Sequence, residues 1–402
     1  MMGLWRNALA AVLLVAASVG PAAAAGGQDL NIGFIGTLSG PNANQAQDQL
    51  DGFKLGVKHL GGRLGGAEFD LTVFDDKRDV DAARQAMGRL LRDERAQVVL
   101  VSSDAKVSAA LAPLAAAGGA FLISLGAPAA NLAGKDCSPY FFSLAGLSET
   151  MHEMAGQYLQ GQGYHNVVVA GPDTAAEHAA VVAFQRGFHG AVSEVLARRG
   201  EMAFDEDLRR IRAAAPDAVY LLHSGGMAVS FIREFADAKL KGMLPLFAPG
   251  ATFDQTVLAA SGPAALDLFS VAPWSDDLDS PANKRMMADF ESEYGRPPSA
   301  NAAQGYDSAM LLDAAIRTID RKFNDDDALR GALRKVEFPS TRGGFRFDTN
   351  HFPIQSYWVR QAVHDQRGHV ANEQRGLLVR DARDGHANEC AMRWQPEPPP
   401  KG

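Results

Sequence analysis

Two kinds of hydrophobic periodicity alternate along the first third of the chain. Short aliphatic runs, such as Leu30–Ile35 and Val98–Val101, are typical of strands buried on both faces. Between these runs, apolar residues recur every three or four positions, which predicts amphipathic helices. The first such helical stripe is Leu50, Phe53, Val57 and Leu60. The alternation predicts a parallel sheet wrapped by helices, which is a Rossmann-like lobe.

A second series of the same kind begins near Ser148. The chain has 402 residues, whereas a single hydrophobic core stops growing at roughly 250 to 300 residues. Pattern and length together therefore predict two α/β lobes. The strands predicted in the second series are Asn166–Ala170, Val192–Leu196, Ala218–Leu222, Leu244–Phe247 and Leu268–Ala272, and the helices that follow are Pro281–Tyr294 and Ala302–Asp320.

The N-terminus has the pattern of a secretory signal peptide. Arg6 precedes the apolar run Leu9–Val19, and the small residues Ala22–Ala25 follow it. We expect cleavage after Ala25 and a periplasmic mature protein; the alternative interpretation is an ordinary buried first helix. Because no cysteine stands at the cleavage point, a lipid anchor is not expected, and no later segment is long and apolar enough to span a membrane.

Charge and cysteine content narrow the class further. A formal net charge of −8 and a pI near 5.7 argue against binding to nucleic acid or to an anionic membrane surface. The two cysteines, Cys137 and Cys390, would sit in an oxidising compartment, where pairing is the usual outcome. We predict one disulfide that ties the C-terminal tail to the body. Two buried free thiols are the alternative, because spacing alone does not establish proximity.

Motifs for catalysis and for cofactors are absent from the sequence. The segment Leu222–Gly226 contains a serine but lacks the first glycine of a nucleophile elbow. Neither the dinucleotide-binding glycine pattern nor a P-loop occurs. The closest histidine pair, His364 and His369, has no nearby thiolates and is interpreted as surface residues rather than as a zinc site. The sequence thus predicts a binding protein without a metal, a cofactor or an enzymatic activity.

Many short segments, in order and at matching spacing, carry a family resemblance over nearly the whole mature chain. They resemble the leucine/isoleucine/valine-binding family of periplasmic receptors, particularly its branch for aromatic and other less common solutes. The matching segments are Ile32-Gly33, Leu38–Pro41, Asp51-Gly52, Gly61-Gly62, Phe74–Asp76 with Asp79 and Ala82-Ala83, Ser102–Asp104 with Ser108, Ile123-Ser124 with Ala127, Cys137–Tyr140, Phe290, Tyr294–Pro298 and Tyr306-Asp307.

This resemblance implies the type I periplasmic-binding-protein fold, in which a three-stranded hinge joins two Rossmann-like lobes. The chain then crosses between the lobes three times, and the ligand lies in the cleft at the carboxyl ends of the strands. The expected bounds are 28–145 plus 273–345 for the N-lobe, 146–272 plus 346–395 for the C-lobe, and 396–402 for a disordered tail. Small residues are expected at the hinge, near Ala145-Gly146, Ala272-Pro273 and Gly343-Gly344.

The resemblance also implies the residues of the cleft. The loop that binds the ligand carboxylate in the family matches Ser102, Ser103, Asp104 and Ser108, and the next loop matches Gly126, Ala127 and Pro128. From the second lobe we expect His223, Ser224, Gly250 and Phe253, and Trp274 at the lobe crossing is a candidate to stack on a ring. Simple capping of a helix by Ser103 or Asp104, and hinge packing by Trp274, are the alternatives.

Three departures from the family bear on the cargo. Amino-acid receptors of the family place a threonine where Pro128 stands, an acidic partner of the substrate ammonium near Gly250 and Ala251, and a tyrosine near Ala176. An unpaired ammonium in a desolvated cleft costs several kcal/mol, roughly 3 or more. We therefore expect an aromatic or other organic acid, or a neutral compound, rather than a branched-chain amino acid.

The expected function is that of the substrate-binding component of an ABC importer. The lobes would close on a small molecule, and ABC permease subunits in the inner membrane would recognise the closed form of a monomeric protein. Two other functions remain open from the sequence: an exported α/β hydrolase that uses Asp104 or His223, and a ligand-sensing receptor for a signalling partner.

Overall fold

A computed structural model describes residues 30–40, 43–323 and 325–392. The predicted leader, with its cleavage after Ala25, lies outside these ranges, as does the tail predicted at 396–402. Within them, no helix combines the length and the apolar character needed to cross a bilayer.

The first lobe is built on a parallel five-stranded sheet. Its spatial order is β2-β1-β3-β4-β5, so the chain reverses direction of travel at β1, as in doubly wound sheets. The bounds are β1 (Leu30–Gly36), α1 (Ala43–His59), β2 (Phe69–Asp75), α2 (Val80–Arg92), β3 (Val98–Ser102), α3 (Ala105–Ala117), β4 (Phe121–Ser124) and β5 (Phe141–Ser143).

The second lobe repeats this construction with five parallel strands and their helices. It begins after the chain leaves β5. The order β10-β9-β8-β6-β7 again places the first strand of the series inside the sheet. The bounds are α4 (Ser148–Gly161), β6 (Asn166–Pro172), α5 (Ala175–Gly187), β7 (Ala191–Ala197), α6 (Asp205–Ala214), β8 (Ala218–Leu221), α7 (Gly225–Asp237), β9 (Leu246–Pro249), α8 (Gln255–Ser261) and β10 (Phe269–Ala272).

The chain then returns to the first lobe and finally to the second. Three helices pack on the first lobe: α9 (Pro281–Tyr294), α10 (Ala300–Thr318) and α11 (Asp326–Lys335). Three antiparallel strands, β11 (Arg346–Phe347), β12 (Pro353–His364) and β13 (Val370–Ala382), extend the second sheet, with β12 beside β10. The prediction of two α/β lobes is confirmed.

Two glycines allow α1 and α10 to pack backbone against backbone. A Cβ atom on Gly52 would lie 2.0 Å from the Ala302 carbonyl oxygen, and one on Gly305 would lie 1.9 Å from that of Gln49. Any larger residue at either position would force the helices apart. The close packing places the first turn of α10 beside the middle of α1, where both helices border the cleft.

The segment 346–352, which was expected in the C-lobe, packs on the first lobe. Phe347 lies in the core cluster with β1 and β3, and Phe352 packs on the other face of the same sheet. The pairing of β12 with β10 begins only where Trp358 lies beside Ala272. Because apolar packing holds this segment on the first lobe, we propose that the third crossing is at residues 355–357 rather than at Gly343-Gly344, and that the N-lobe extends beyond 345.

The predicted disulfide between Cys137 and Cys390 is present, with a Cα–Cα distance of 5.6 Å. It fastens the segment after β13 to the first lobe, and two polar contacts beside it do the same. Arg383 pairs with Asp348 at 2.8 Å, and the Asn350 side-chain amide donates to Asp384 at 2.9 Å. The segment from Arg383 to Cys390 therefore lies against the first lobe, although 346–395 was expected in the C-lobe.

The disulfide joins residues 253 positions apart, so removing it should destabilise the protein mainly by giving the unfolded chain more conformational freedom. We expect the double variant Cys137→Ser, Cys390→Ser to lose about 2 to 5 kcal/mol of unfolding free energy in urea denaturation. Reductant should lower the melting temperature of the wild type but not that of the double variant. A double variant as stable as the wild type would contradict the role assigned to this bond.

Candidate ligand-binding site

A cavity of about 340 Å³ lies between the two lobes. Loops at the carboxyl ends of the strands border it, which is where doubly wound sheets place their ligands. The first two crossing segments, at Ala145–Leu147 and Ala272–Trp274, line it together with Gln355 and Tyr357 of β12. Parts of all three of these crossings therefore touch the cavity.

Loops that follow β1, β2 and β3 form one side of the cavity in the first lobe. The Thr37 hydroxyl donates to Asp76 at 2.7 Å and lies 3.1 Å from the Ser103 hydroxyl. Arg78 pairs with Asp104 at 3.1 Å. These contacts fix the loop that leads from β3 into α3.

The N-terminus of α3 points its free backbone donors at this side of the cleft. Asp104 occupies the N-cap position, but its side chain makes no capping hydrogen bond. Ala105, the first residue of α3, lines the cavity. Its backbone N–H group is one of the first-turn N–H groups that have no partner within the helix. A helix N-terminus carries a partial positive charge, so this position suits an anion.

An amide network on α1 and α10 adds side-chain donors to the same side. The Gln49 amide nitrogen donates to Leu125 O at 2.9 Å, to Gln304 Oε1 at 3.0 Å and to Asn301 Oδ1 at 3.4 Å. Because the oxygens of Gln304 and Asn301 are engaged, their amide nitrogens remain to donate into the cavity. We call these two amides and the start of α3 the donor wall.

A buried arginine holds the opposite side together. Arg360 of β12 is 2 % exposed, and its nitrogens donate to Ser270 Oγ at 3.1 Å, Trp274 O at 3.2 Å and Gly250 O at 3.2 Å. Burial lowers the pKa of this guanidinium, and the nearby Asp276 opposes that effect. All three contacts are to neutral acceptors, so the charge of Arg360 is balanced only at longer range.

Four oxygen-bearing side chains line the second-lobe side around Arg360: Asp254, Gln255, Asp276 and Asn372. We call them the acceptor wall. Asp254 caps α8, since its Oδ1 accepts from Val257 N at 2.9 Å. Burial raises the pKa of Asp276 to about 6. The sequence has no carboxylate at Gly250 or Ala251. The structure, however, brings Asp254 and Asp276 to the same cavity, which therefore does contain acidic groups.

Seven of the predicted contact residues line the cavity. They are Ser102, Ser103, Asp104, Gly126, Ala127, Gly250 and Trp274. Trp274 is 3 % exposed and its indole nitrogen donates to Asn283 Oδ1 at 2.8 Å. Its ring therefore packs at the hinge and also borders the cavity, and its stacking on a solute ring stays a prediction.

The other five predicted contact residues lie outside the cavity lining. Ser108 is buried one turn into α3, where its hydroxyl donates to Ala105 O at 2.9 Å. Pro128 is buried beyond the β4 loop, and Phe253 is fully buried in the second-lobe core. Ser224 is exposed at the N-cap of α7. The fifth residue, His223, is a core residue.

The His223 ring packs between Phe204 and Phe231, with ring centroids 4.8 and 5.4 Å away. It is 1 % exposed, and its Nδ1 has no hydrogen-bond partner within the described residues. Burial lowers the pKa of His223 to about 4, so the ring is neutral at physiological pH. The ring is enclosed by phenylalanines and does not line the cavity.

The sequence profile of the periplasmic binding protein family matches residues 29–368. This match covers most of the chain and includes every helix and strand from β1 to β12, so that only β13 of the second sheet lies beyond it. The chain therefore belongs to the periplasmic binding protein family.

Particular relatives agree with this membership. The "Leu/Ile/Val-binding protein homolog 6" of Brucella melitensis is 25 % identical over 374 residues, which is 88 % of this chain and 92 % of the relative. A solute-binding protein of an ABC transporter from R. palustris, solved in complex with benzoate, is 28 % identical with a TM-score of 0.81 over 91 % of this chain and 100 % of that one. An ABC transporter substrate-binding protein from Sphaerobacter thermophilus is 26 % identical, with a TM-score of 0.83 over 88 % of this chain and 98 % of that one.

The burial of His223 predicts a specific pH dependence of stability. Its pKa is about 4 when folded and about 6.5 when unfolded, so its contribution is complete above pH 6.5 and is lost as the pH falls towards 4. Between pH 7.5 and pH 5, the wild type should lose about 2 kcal/mol more unfolding free energy than His223→Leu in urea titrations.

The control for this measurement is His189→Leu, which removes an exposed imidazole and should keep the wild-type pH dependence. Equal slopes for the wild type and His223→Leu would show that the ring reaches solvent in the folded protein.

Proposed function

We propose that this protein is the periplasmic substrate-binding component of an ABC importer, and that it captures an aromatic or related organic acid between its lobes. The observation that carries the proposal is the donor wall, where a helix N-terminus and two amide nitrogens converge on one end of an interlobe cavity. Such a cluster of donors matches a carboxylate, which accepts several hydrogen bonds at once.

The middle of the cavity suits a flat apolar body. Trp274, Tyr357, Met151 and the small residues Ala145 and Ala272 contribute to its lining. Aromatic side chains favour offset or edge-on contact with another ring. The related R. palustris protein was solved with benzoate, a carboxylate on such a ring, which supports this class of solute.

Hinge closure is the proposed mechanism. The solute would contact loops of both lobes and so favour the closed state over the open one. Permease subunits in the inner membrane would then recognise the closed surface, and the leader that ends at Ala25 would direct export. The protein itself would perform no chemistry, and His223, which the hydrolase alternative would use, lies in the core and does not line the cavity.

Binding without turnover is the direct test of this function. We expect benzoate or 4-hydroxybenzoate to bind saturably in isothermal titration calorimetry and to raise the melting temperature of the mature protein, as stabilisation by a ligand requires. Benzamide, which lacks the negative charge, should bind at least about tenfold more weakly. NMR of each acid after long incubation should show no product.

If leucine or valine bound tightly and none of the acids bound, the proposed class of solute would be wrong. Consumption of an acid, ester or amide by the purified protein would refute the receptor function altogether.

The donor wall can be tested with Gln304→Met, which keeps the length of the side chain and removes its donor. We expect this variant to weaken binding of 4-hydroxybenzoate about ten- to hundredfold, the usual effect of losing one hydrogen bond to a charged group. The matched control is Met151→Leu, which changes an apolar residue of the same cavity and should alter affinity little. Equal effects of the two variants would place the carboxylate elsewhere.

A further inference from the structure

Within the described part of the chain, the acceptor wall contains a buried oxygen without a partner, and each of its two amide nitrogens already donates to a backbone carbonyl. The Gln255 amide nitrogen donates to Val370 O at 2.9 Å, while its buried Oε1 has no partner within the described residues. The Asn372 amide nitrogen donates to Phe253 O at 2.9 Å, so the Asn372 side-chain oxygen lies on the other side of the amide group from this bond. Both side chains line the cavity. A buried oxygen without a donor costs free energy, so a solute that supplies one gains affinity.

The nearby donor side chains bond to other acceptors. The nitrogens Nε, Nη1 and Nη2 of Arg360 each donate to Ser270 Oγ or to a backbone carbonyl, and the Trp274 indole donates to Asn283. Within the described residues no donor reaches Gln255 Oε1. This oxygen is therefore available to a donor on the solute.

The charges at this end of the cavity point the same way. Asp254 and Asp276 both line it, whereas Arg360 is the cation beside them. Because two carboxylates face one guanidinium, this side of the cavity disfavours an anion and favours a group that donates a hydrogen bond. A solute carboxylate therefore belongs at the donor wall, with its opposite end directed at the acceptor wall.

We propose that the solute carries a hydrogen-bond donor, a hydroxyl or an amino group, on the end opposite its carboxylate, and that Asp276, Gln255 and Asn372 accept from it. This inference rests on the proposed function and narrows it to acids with two polar ends. The donor wall then donates hydrogen bonds to the carboxylate, and the acceptor wall accepts a hydrogen bond from the other end of the solute. Only a solute with both groups satisfies both walls.

The test compares three acids of one shape on the intact mature protein. Benzoate has no second polar group, 4-hydroxybenzoate adds a donor, and 4-methoxybenzoate keeps the oxygen but replaces the hydrogen by a methyl group. Calorimetry should give 4-hydroxybenzoate an affinity at least about tenfold above benzoate, and 4-methoxybenzoate none of that gain. The acid 4-(aminomethyl)benzoate, which carries an ammonium, should also exceed benzoate and shows which kind of donor is preferred.

Variants then assign the gain to the acceptor wall. Gln255→Met and Asp276→Ala should each reduce the ratio of the two affinities, 4-hydroxybenzoate over benzoate, by at least about threefold. Gln304→Met on the donor wall and Met151→Leu should leave this ratio unchanged, although the former weakens both acids. Two acceptor variants are used so that a folding defect in one, visible in its ligand-free melting curve, leaves the other to decide.

The outcomes separate this inference from the proposed function. Equal or tighter binding of benzoate would overturn the inference and leave the aromatic-acid receptor standing. A hydroxyl gain that survives both acceptor variants would overturn it as well. Absence of binding by all four acids would overturn the function and the inference together.

Discussion

Two buried guanidinium groups determine the geometry of the cleft. Arg360 joins β12 to the carbonyl groups of Trp274 and Gly250, which belong to the second crossing and to the loop after β9. Arg342 does the same on the other side: its Nε pairs with Asp307 at 3.0 Å, and its Nη1 donates to Leu144 O at 2.7 Å and to Gln355 Oε1 at 3.1 Å. A buried charge is tolerated when neighbouring acceptors replace the water around it. Several of the acceptors here, on Leu144, Trp274 and Gln355, belong to the segments that cross between the lobes.

This arrangement leaves a narrow zone where the lobes can rotate. The first and third crossings meet at Gly146, where a Cβ atom would lie 2.7 Å from the Gln355 amide and 3.0 Å from the Tyr357 hydroxyl. Arg342 fixes these segments to the first lobe, and Arg360 fixes the later part of β12 to the second. In the proposed hinge closure, bending would fall between the two arginines. The cavity lies at the same place, so closure would change the space around a solute directly.

The sequence predicted the parts of the fold that obey simple periodicity. Strands buried on both faces and helices with one apolar face were recognised, but the hairpin of β12 and β13 was missed because its inward positions include the polar residues Gln355, Arg360 and Asn372. In the site, Ser102 to Asp104 and Gly126, which the family resemblance implied as contacts, line the cavity because they lie where parallel strands end. Gln304, Asp276 and Arg360 reach the cavity only through packing of segments far apart in the chain, which local patterns do not encode. His223 also follows a strand, yet its ring turns into the core among phenylalanines.

The opposite polarity of the two walls follows from how two similar helices are capped. In each lobe a helix begins just after a strand and directs its N–H groups at the cleft. Asp254 folds back onto α8 and accepts from Val257, which consumes a donor and leaves a carboxylate facing the cavity. Asp104 holds the equivalent position on α3 but turns outward to Arg78, so the N–H groups behind it stay open. Under the proposed function, the same local motif would therefore serve an anion in one lobe and a hydrogen-bond donor in the other.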